Sequence, residues 1–115
     1  MPSGISSLFE AEAKVRIEED SKEFFSIRDL REAEVYFTKL PSEHRHLLVN
    51  KLVNRAIESK QADAQLVADL FDRAVSRNLC SPASFEEGFT STAEMVDSPK
   101  ALDLFAIIIK GAHLH

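Results

Sequence analysis

The middle of the chain decides the fold. Residues 41–77 read PSEHRHLLVNKLVNRAIESKQADAQLVADLFDRAVSR. Apolar side chains recur there at helical spacing in two blocks, which predicts two amphipathic helices. Pro41 opens the first, at a position where a helix does not need the missing backbone N–H. The second covers about Ala62 to Arg77. The apolar positions are Leu47, Leu48, Val49, Leu52, Val53, Ala56 and Ile57, then Leu66, Val67, Leu70, Phe71, Ala74 and Val75.

Glycine and proline are scarce in the rest of the chain. The 115 residues include 3 glycines and 4 prolines, and no glycine occurs between Gly4 and Gly88. β-Sandwiches and barrels need turn residues at short intervals, and Rossmann or P-loop folds need a glycine cluster around a phosphate. The composition therefore excludes these folds and favours helices.

Two helices are predicted before the central block. The first runs from about Ser7 to Phe25, because Ser7 and Glu10 have the spacing of a capping box. The second runs from about Leu30 to Thr38, with Asp29 as its N-cap.

Two more helices are predicted after the central block. Ser81-Pro82 and Ser98-Pro99 each place an N-cap serine before a proline at the first helical position. Phe85, Phe89 and Met95 are expected to face inward from the fifth helix. The sixth is apolar on most sides, so we expect it to lie centrally. Gly111 is predicted to end it at a C′ position.

The connections between these helices are short, so consecutive helices should be antiparallel neighbours. Six helices then form three stacked antiparallel pairs, an all-α, HEAT-like α-solenoid. We expect residues 1–6 to be a disordered lead and residues 7–115 to form a single helical domain.

The charge of the chain limits its partners. The net charge is −5, which disfavours binding of phosphate backbones by the whole domain and favours a protein partner with a basic face. Two basic pairs at i,i+4 spacing, on neighbouring helices, keep an alternative open, namely an RNA-contacting module. These pairs are Lys51 with Arg55 and Arg73 with Arg77.

Chemistry-bearing motifs are scarce. Cys80 is the only cysteine, which excludes an internal disulfide and favours a reducing compartment, so we expect a cytoplasmic protein. His44, His46, His113 and His115 are not spaced as a structural metal site. The longest apolar stretch is Leu104 to Ile109, too short to span a bilayer. We therefore expect no enzymatic activity, no metal, no cofactor and no membrane association.

Three motifs carry a resemblance to a known family. Residues 25–41 read FSIRDLREAEVYFTKLP and contain a D-x-x-E-A pattern. Residues 85–89 read FEEGF, and residues 97–101 read DSPKA. In this order, these motifs resemble the MA-three domain, an atypical HEAT-type helical domain. It is found in eukaryotic initiation factor 4-gamma and in the programmed cell death 4 protein.

The resemblance covers residues 17–114. The sequences of residues 58–66 and 109–112 are most similar to those of the fungal-type 4-gamma scaffold. The resemblance implies that the chain is a non-catalytic module of a translation initiation scaffold and that it binds the DEAD-box RNA helicase initiation factor 4A. RNA would then be reached indirectly, through the complex.

The resemblance also implies a binding site in the loop between the last two helices. The matching positions are Glu94, Asp97, Pro99 and Lys100. Asp97 and Pro99 have a second interpretation, as the cap and first residue of the sixth helix. The D-x-x-E-A pattern and Gly88 are interpreted as structural, serving helix capping and close helix packing.

One departure from the family concerns residues 88–97, which are several residues shorter than the family pattern. The shortened loop leaves open that helicase binding has been lost and that the domain self-associates. We expect a monomer, with a dimer that exchanges its sixth helix as the alternative.

Overall fold

Six α-helices form where periodicity and caps predict them. A computed structural model describes residues 2–113, with side chains from residue 10 onward. A 3₁₀ turn at Ser42–His44 precedes α3, and no strand occurs in residues 2–113. The fold is therefore all-α, as predicted. The helices are α1 (Pro2–Ile27), α2 (Leu30–Thr38), α3 (Arg45–Ile57), α4 (Gln61–Ser76), α5 (Pro82–Ala93) and α6 (Pro99–Gly111).

Three of the four predicted N-caps are confirmed. The Asp29 carboxylate accepts hydrogen bonds from the backbone N–H groups of Arg31 and Glu32, at 3.0 and 3.3 Å. The Ser81 hydroxyl accepts one from the backbone of Ser84, at 3.1 Å. Ser98 does the same for α6, as described below. These bonds satisfy helix N–H groups that have no partner within their own helix.

Two predicted helix starts are wrong. α1 begins at Pro2 rather than Ser7, and the side chain of Ser7 lies outside the described residues. α3 begins at Arg45, because the segment after Pro41 first forms the 3₁₀ turn. The division into a lead (1–6) and a domain (7–115) stays a prediction.

The helices pack in two layers. α1, α3 and α5 follow one another in one layer, and α2, α4 and α6 in the other. The most extensive packing is α3 on α5 and α4 on α6, whereas α5 and α6 touch each other only slightly. Each helix of the last pair is therefore held mainly by the pair before it. The predicted stack of three helix pairs, typical of HEAT-like solenoids, is confirmed.

Two glycines allow this close packing. A Cβ atom on Gly88 would lie 2.7 Å from Cγ1 of Val49, and one on Gly111 would lie 2.5 Å from the carbonyl oxygen of Ala68. The prediction for Gly88 is confirmed. The C′ prediction for Gly111 is wrong: it is the last residue of α6, and the positive φ (64°) occurs at His113.

Phenylalanine rings join α4, α5 and α6 in the core. Phe71 lies 5.1 Å from Phe85 between ring centroids, and Phe89 lies 5.9 Å from Phe105. α6 does not lie centrally as expected. It buries Phe105 and two further apolar side chains but leaves Leu102 53% exposed, because only α3 and α4 pack extensively on it.

A polar network fixes α5 on α3. The Asn50 amide donates to the carbonyl of Gly88 at 2.9 Å and to the Thr92 hydroxyl at 3.2 Å. That hydroxyl donates to Asn54 at 2.6 Å, and the Asn54 amide donates back to Asn50 at 3.1 Å. Because Thr92 is fully buried, these bonds orient the last turn of α5 and the loop after it.

Candidate protein-interaction surface

The α5–α6 loop, residues 94–98, is held by the end of α5. The backbone N–H groups of Met95 and Val96 both donate to the carbonyl oxygen of Thr92, at 2.9 and 3.0 Å. The Val96 side chain packs against the core. The loop is thus fixed by backbone hydrogen bonds and one apolar anchor, which lowers the entropy lost when a partner binds it.

The predicted partner-binding residues all lie on the surface around this loop. Glu94 follows the last residue of α5, Asp97 follows Val96, and Pro99 and Lys100 begin α6; all four are exposed. The structure therefore brings them together on one short, accessible segment.

Asp97 is not the cap of α6. The hydroxyl of Ser98 accepts a hydrogen bond from the backbone of Ala101 at 3.2 Å, and Pro99 occupies the first turn. Asp97 forms no hydrogen bond or ion pair with residues 10–113. Its carboxylate is therefore available to a partner, whereas Pro99 has the structural role that the sequence also allowed.

Met95 was predicted to face inward, and that is wrong, since its side chain is 69% exposed. α5 ends at Ala93, and Val96 takes the inward position instead. Leu102, in the first turn of α6, was also missed as a surface residue. The apolar pattern alone could not identify either, because it does not show where α5 stops or which side of α6 lacks a neighbour.

The four basic residues of the RNA alternative form two separate clamps. Lys51 and Arg55 of α3 both reach Glu18 of α1, at 2.6 and 3.3 Å. The hydrogen bond from Lys51 is the main reason why the pKa of Glu18 lies below its ordinary value. These ion pairs link α1 to α3, the next helix of the same layer.

The second clamp repeats this design in the other layer. Arg73 and Arg77 of α4 reach Glu34 of α2, at 2.5 and 3.3 Å. The basic pairs of both clamps therefore already face a carboxylate of the chain, which reduces the positive charge they offer to a phosphate.

The remaining reactive side chains form no catalytic arrangement in the described part of the chain. Cys80 is buried, and burial raises the pKa of its thiol to about 11, which disfavours the nucleophilic thiolate. His46 pairs with Glu87 at 3.2 Å and His113 with Asp72 at 2.6 Å.

Among residues 10–113 there is no cluster of three or more side chains able to hold a metal ion. His115, half of the spaced pair with His113, lies outside the described residues. None of the described helices has the length and apolar character needed to cross a membrane.

The comparisons with known proteins agree with this architecture. Residues 14–111 match the family model described as the MA3 domain, the MA-three domain of the sequence analysis. Curated proteins and solved structures gave no significant match. MA3 domains are non-catalytic helical protein-interaction domains. Because the match spans nearly all of the described helices, the chain belongs to the MA3 domain family.

Proposed function

We propose that this MA3 domain belongs to a translation initiation scaffold of the 4-gamma type and binds the DEAD-box helicase initiation factor 4A through its α5–α6 loop. The observation that carries the proposal is the exposed carboxylate of Asp97 beside the α6 cap, which has no hydrogen-bond or ion-pair partner among residues 10–113. Such a group can form charge-assisted hydrogen bonds with an arginine or lysine of the helicase. A cytoplasmic location follows from this role.

Two further features support this surface. Glu94 adds a second exposed carboxylate three residues before Asp97. The loop is also held by α5 and Val96 before any partner arrives, so little ordering is required on binding. The shortened loop still presents its acidic residues.

The direct test is titration of the helicase with the wild-type domain and with Asp97→Lys, by calorimetry. We expect wild type to bind and Asp97→Lys to weaken binding at least about tenfold, because reversal places like charges in the contact. Glu43→Lys is the matched control, since Glu43 is an exposed carboxylate in the 3₁₀ turn before α3; it should bind like wild type.

Two outcomes contradict the proposal in different ways. Equal binding by wild type and Asp97→Lys would remove Asp97 from the site while leaving the helicase as partner. Absence of binding by the wild-type domain would show that the shortened loop no longer supports this function.

A further inference from the structure

α6 presents an apolar side to solvent. Leu102, Ala106 and Ile109 are spaced i, i+4 and i+7, which places them on one side of the helix. Leu102 is 53% exposed, Ala106 is exposed and Ile109 is half-buried. The ring of Phe105, which contacts Phe89 of α5, lies beside this stripe in the core. We call Leu102, Ala106 and Ile109 the α6 stripe.

The α6 stripe lies at one end of the stack that the described helices form. In a solenoid each pair buries its apolar face on the next, and terminal pairs need a polar outer face. α6 is in the last pair and packs on α3 and α4, which precede it. An apolar stripe at this end is therefore the kind of surface that a further helix would cover.

Two charges beside the stripe favour a second copy of the same helix. Asp103 and Lys110 are both exposed, are seven residues apart, and form no ion pair within residues 10–113. Seven residues are two helical turns, so both lie on the same side of α6. Asp103 carries a negative charge and Lys110 a positive charge.

This pattern is complementary to itself. If two α6 helices pack antiparallel about an axis at Ala106, each Asp103 lies within one residue rise, about 1.5 Å along the helix axis, of the level of the second copy's Lys110. Each Leu102 lies within the same distance of the level of the second copy's Ile109. The small side chain of Ala106 permits the close approach that the crossing point needs. A two-fold interface requires this match of one surface with itself.

We propose that the α6 stripe is a homodimer interface in which two copies of this chain stack end to end through antiparallel α6 helices. The dimer would continue the helix stack across the two-fold axis, with two Asp103–Lys110 pairs beside an apolar centre. Both copies keep α6 packed on their own α4, which distinguishes this dimer from one that exchanges α6.

The test is sedimentation velocity over a concentration series from about 5 µM to about 500 µM, because dimerisation follows mass action. We expect reversible dimerisation of wild type. Asp103→Lys and Lys110→Asp should each raise the dimer dissociation constant about tenfold or more, since each places like charges opposite one another. The double variant, with both changes, should restore it to within about threefold of wild type.

A second set of variants tests the apolar centre. Leu102→Asp should abolish the dimer. Val35→Asp, at a 42% exposed valine of α2, should leave it unchanged. Far-UV circular dichroism and thermal melts of every variant separate a lost interface from a lost fold.

Several outcomes would overturn the proposal. If the wild-type domain stays monomeric at every concentration, the α6 stripe is not a homodimer interface. A dimer that ignores all three α6 changes would use another surface or exchange α6. Failure of the double variant to recover, with its fold intact, would refute the antiparallel pairing.

Discussion

At Gly111 the α6 backbone approaches α4 so closely that no side chain fits. A Cβ atom there would lie 2.5 Å from the carbonyl oxygen and 2.7 Å from the Cα atom of Ala68. Both are backbone atoms, so a rotamer change of Ala68 could not relieve the contact. The glycine therefore sets the distance between two helices rather than the end of one.

We accordingly expect Gly111→Ala to destabilise the domain by roughly 1–3 kcal/mol through overpacking. This cost would exceed the roughly 1 kcal/mol by which alanine stabilises a helix interior relative to glycine. Urea unfolding followed by circular dichroism measures the change. Ser91→Ala, at an exposed position of α5, is the control. A Gly111→Ala domain as stable as wild type would show that α6 can shift away from α4 at little cost.

Asp63, near the start of α4, has a buried carboxylate that links the segment after α1 to the connection between α3 and α4. Arg28, just after α1 and with a positive φ of 62°, donates to it at 2.6 Å, and Ser59 also donates to it. Burial alone would raise the pKa of Asp63, but these two hydrogen bonds, together with the positive charges of Arg28 and Lys60, outweigh burial and hold the pKa below its ordinary value of 3.8. The native state therefore favours the charged form.

Asp63→Asn should destabilise the domain at neutral pH by roughly 1.5–3 kcal/mol. A carboxylate whose pKa is lowered on folding stabilises the protein above its unfolded-state pKa, and this stabilisation is lost as pH falls through the folded-state pKa. The difference between wild type and variant should thus be largest above about pH 5 and shrink below about pH 4.

Urea denaturation at a series of pH values measures this difference directly. Asp69→Asn, an exposed carboxylate of the same helix, is the control and should change little. A constant difference between wild type and Asp63→Asn across the pH range would mean that Asp63 is not stabilised in its charged form.

The positions of most helices could be predicted from the sequence, but which face of each helix is exposed to solvent could not. The bounds of α2, and the starts of α5 and α6, follow from local signals at Asp29, Ser81 and Ser98, which act within one turn. The exposure of Met95 was not predictable because the apolar pattern does not show that α5 ends at Ala93. The exposure of Leu102 was not predictable because it depends on which helix lies opposite, and packing between distant parts of the chain decides that.

The position of the α5–α6 loop was also predictable from local sequence. The motif at residues 97–101 located the loop between α5 and α6, where the structure also places the exposed acidic residues. Local sequence predicted Ser98 as the cap of α6 but left Asp97 as an alternative, since both residue types are good N-caps. It also could not show that Glu18 and Glu34 hold the two basic pairs, because those contacts join separate helices.

The hydroxyl of Thr92 lies at the centre of the polar network between α3 and α5. Thr92→Val keeps the shape of the side chain but removes the hydroxyl that donates to Asn54 and accepts from Asn50. Leaving these part-buried groups without their partner should cost roughly 1–3 kcal/mol. Thermal unfolding of Thr92→Val against Thr90→Val, an exposed threonine of the same helix, measures the cost. Equal melting temperatures would mean that the asparagines find other partners.

In the molecule as a whole, the position of the last helix pair, α5 and α6, depends on its packing against the middle pair, α3 and α4. α5 is held by α3 and α6 by α4, with little contact between α5 and α6 themselves. The loop that joins them therefore connects two helices that are already positioned, rather than holding them together.

Doubling the length of this loop with glycine and serine after Asp97 should accordingly cost only about 0.6 kcal/mol, the entropy of closing a longer loop. Chemical denaturation of the insertion variant measures it. The same insertion in the α3–α4 connection, after Ser59, is the comparison; it should cost more, because Ser59 bonds to Asp63 there. A large loss from the α5–α6 insertion would show that the short loop itself supports the fold.

The two glutamate clamps have a consequence for how partners approach the domain. They balance basic charge in the middle of the stack, whereas residues 82–111 carry five carboxylates and two lysines. The long-range field around that end is therefore negative, and it would draw a positively charged protein towards α5 and α6 before any contact forms. The encounter rate with such a protein would then fall steeply as salt rises, while its dissociation rate would change much less.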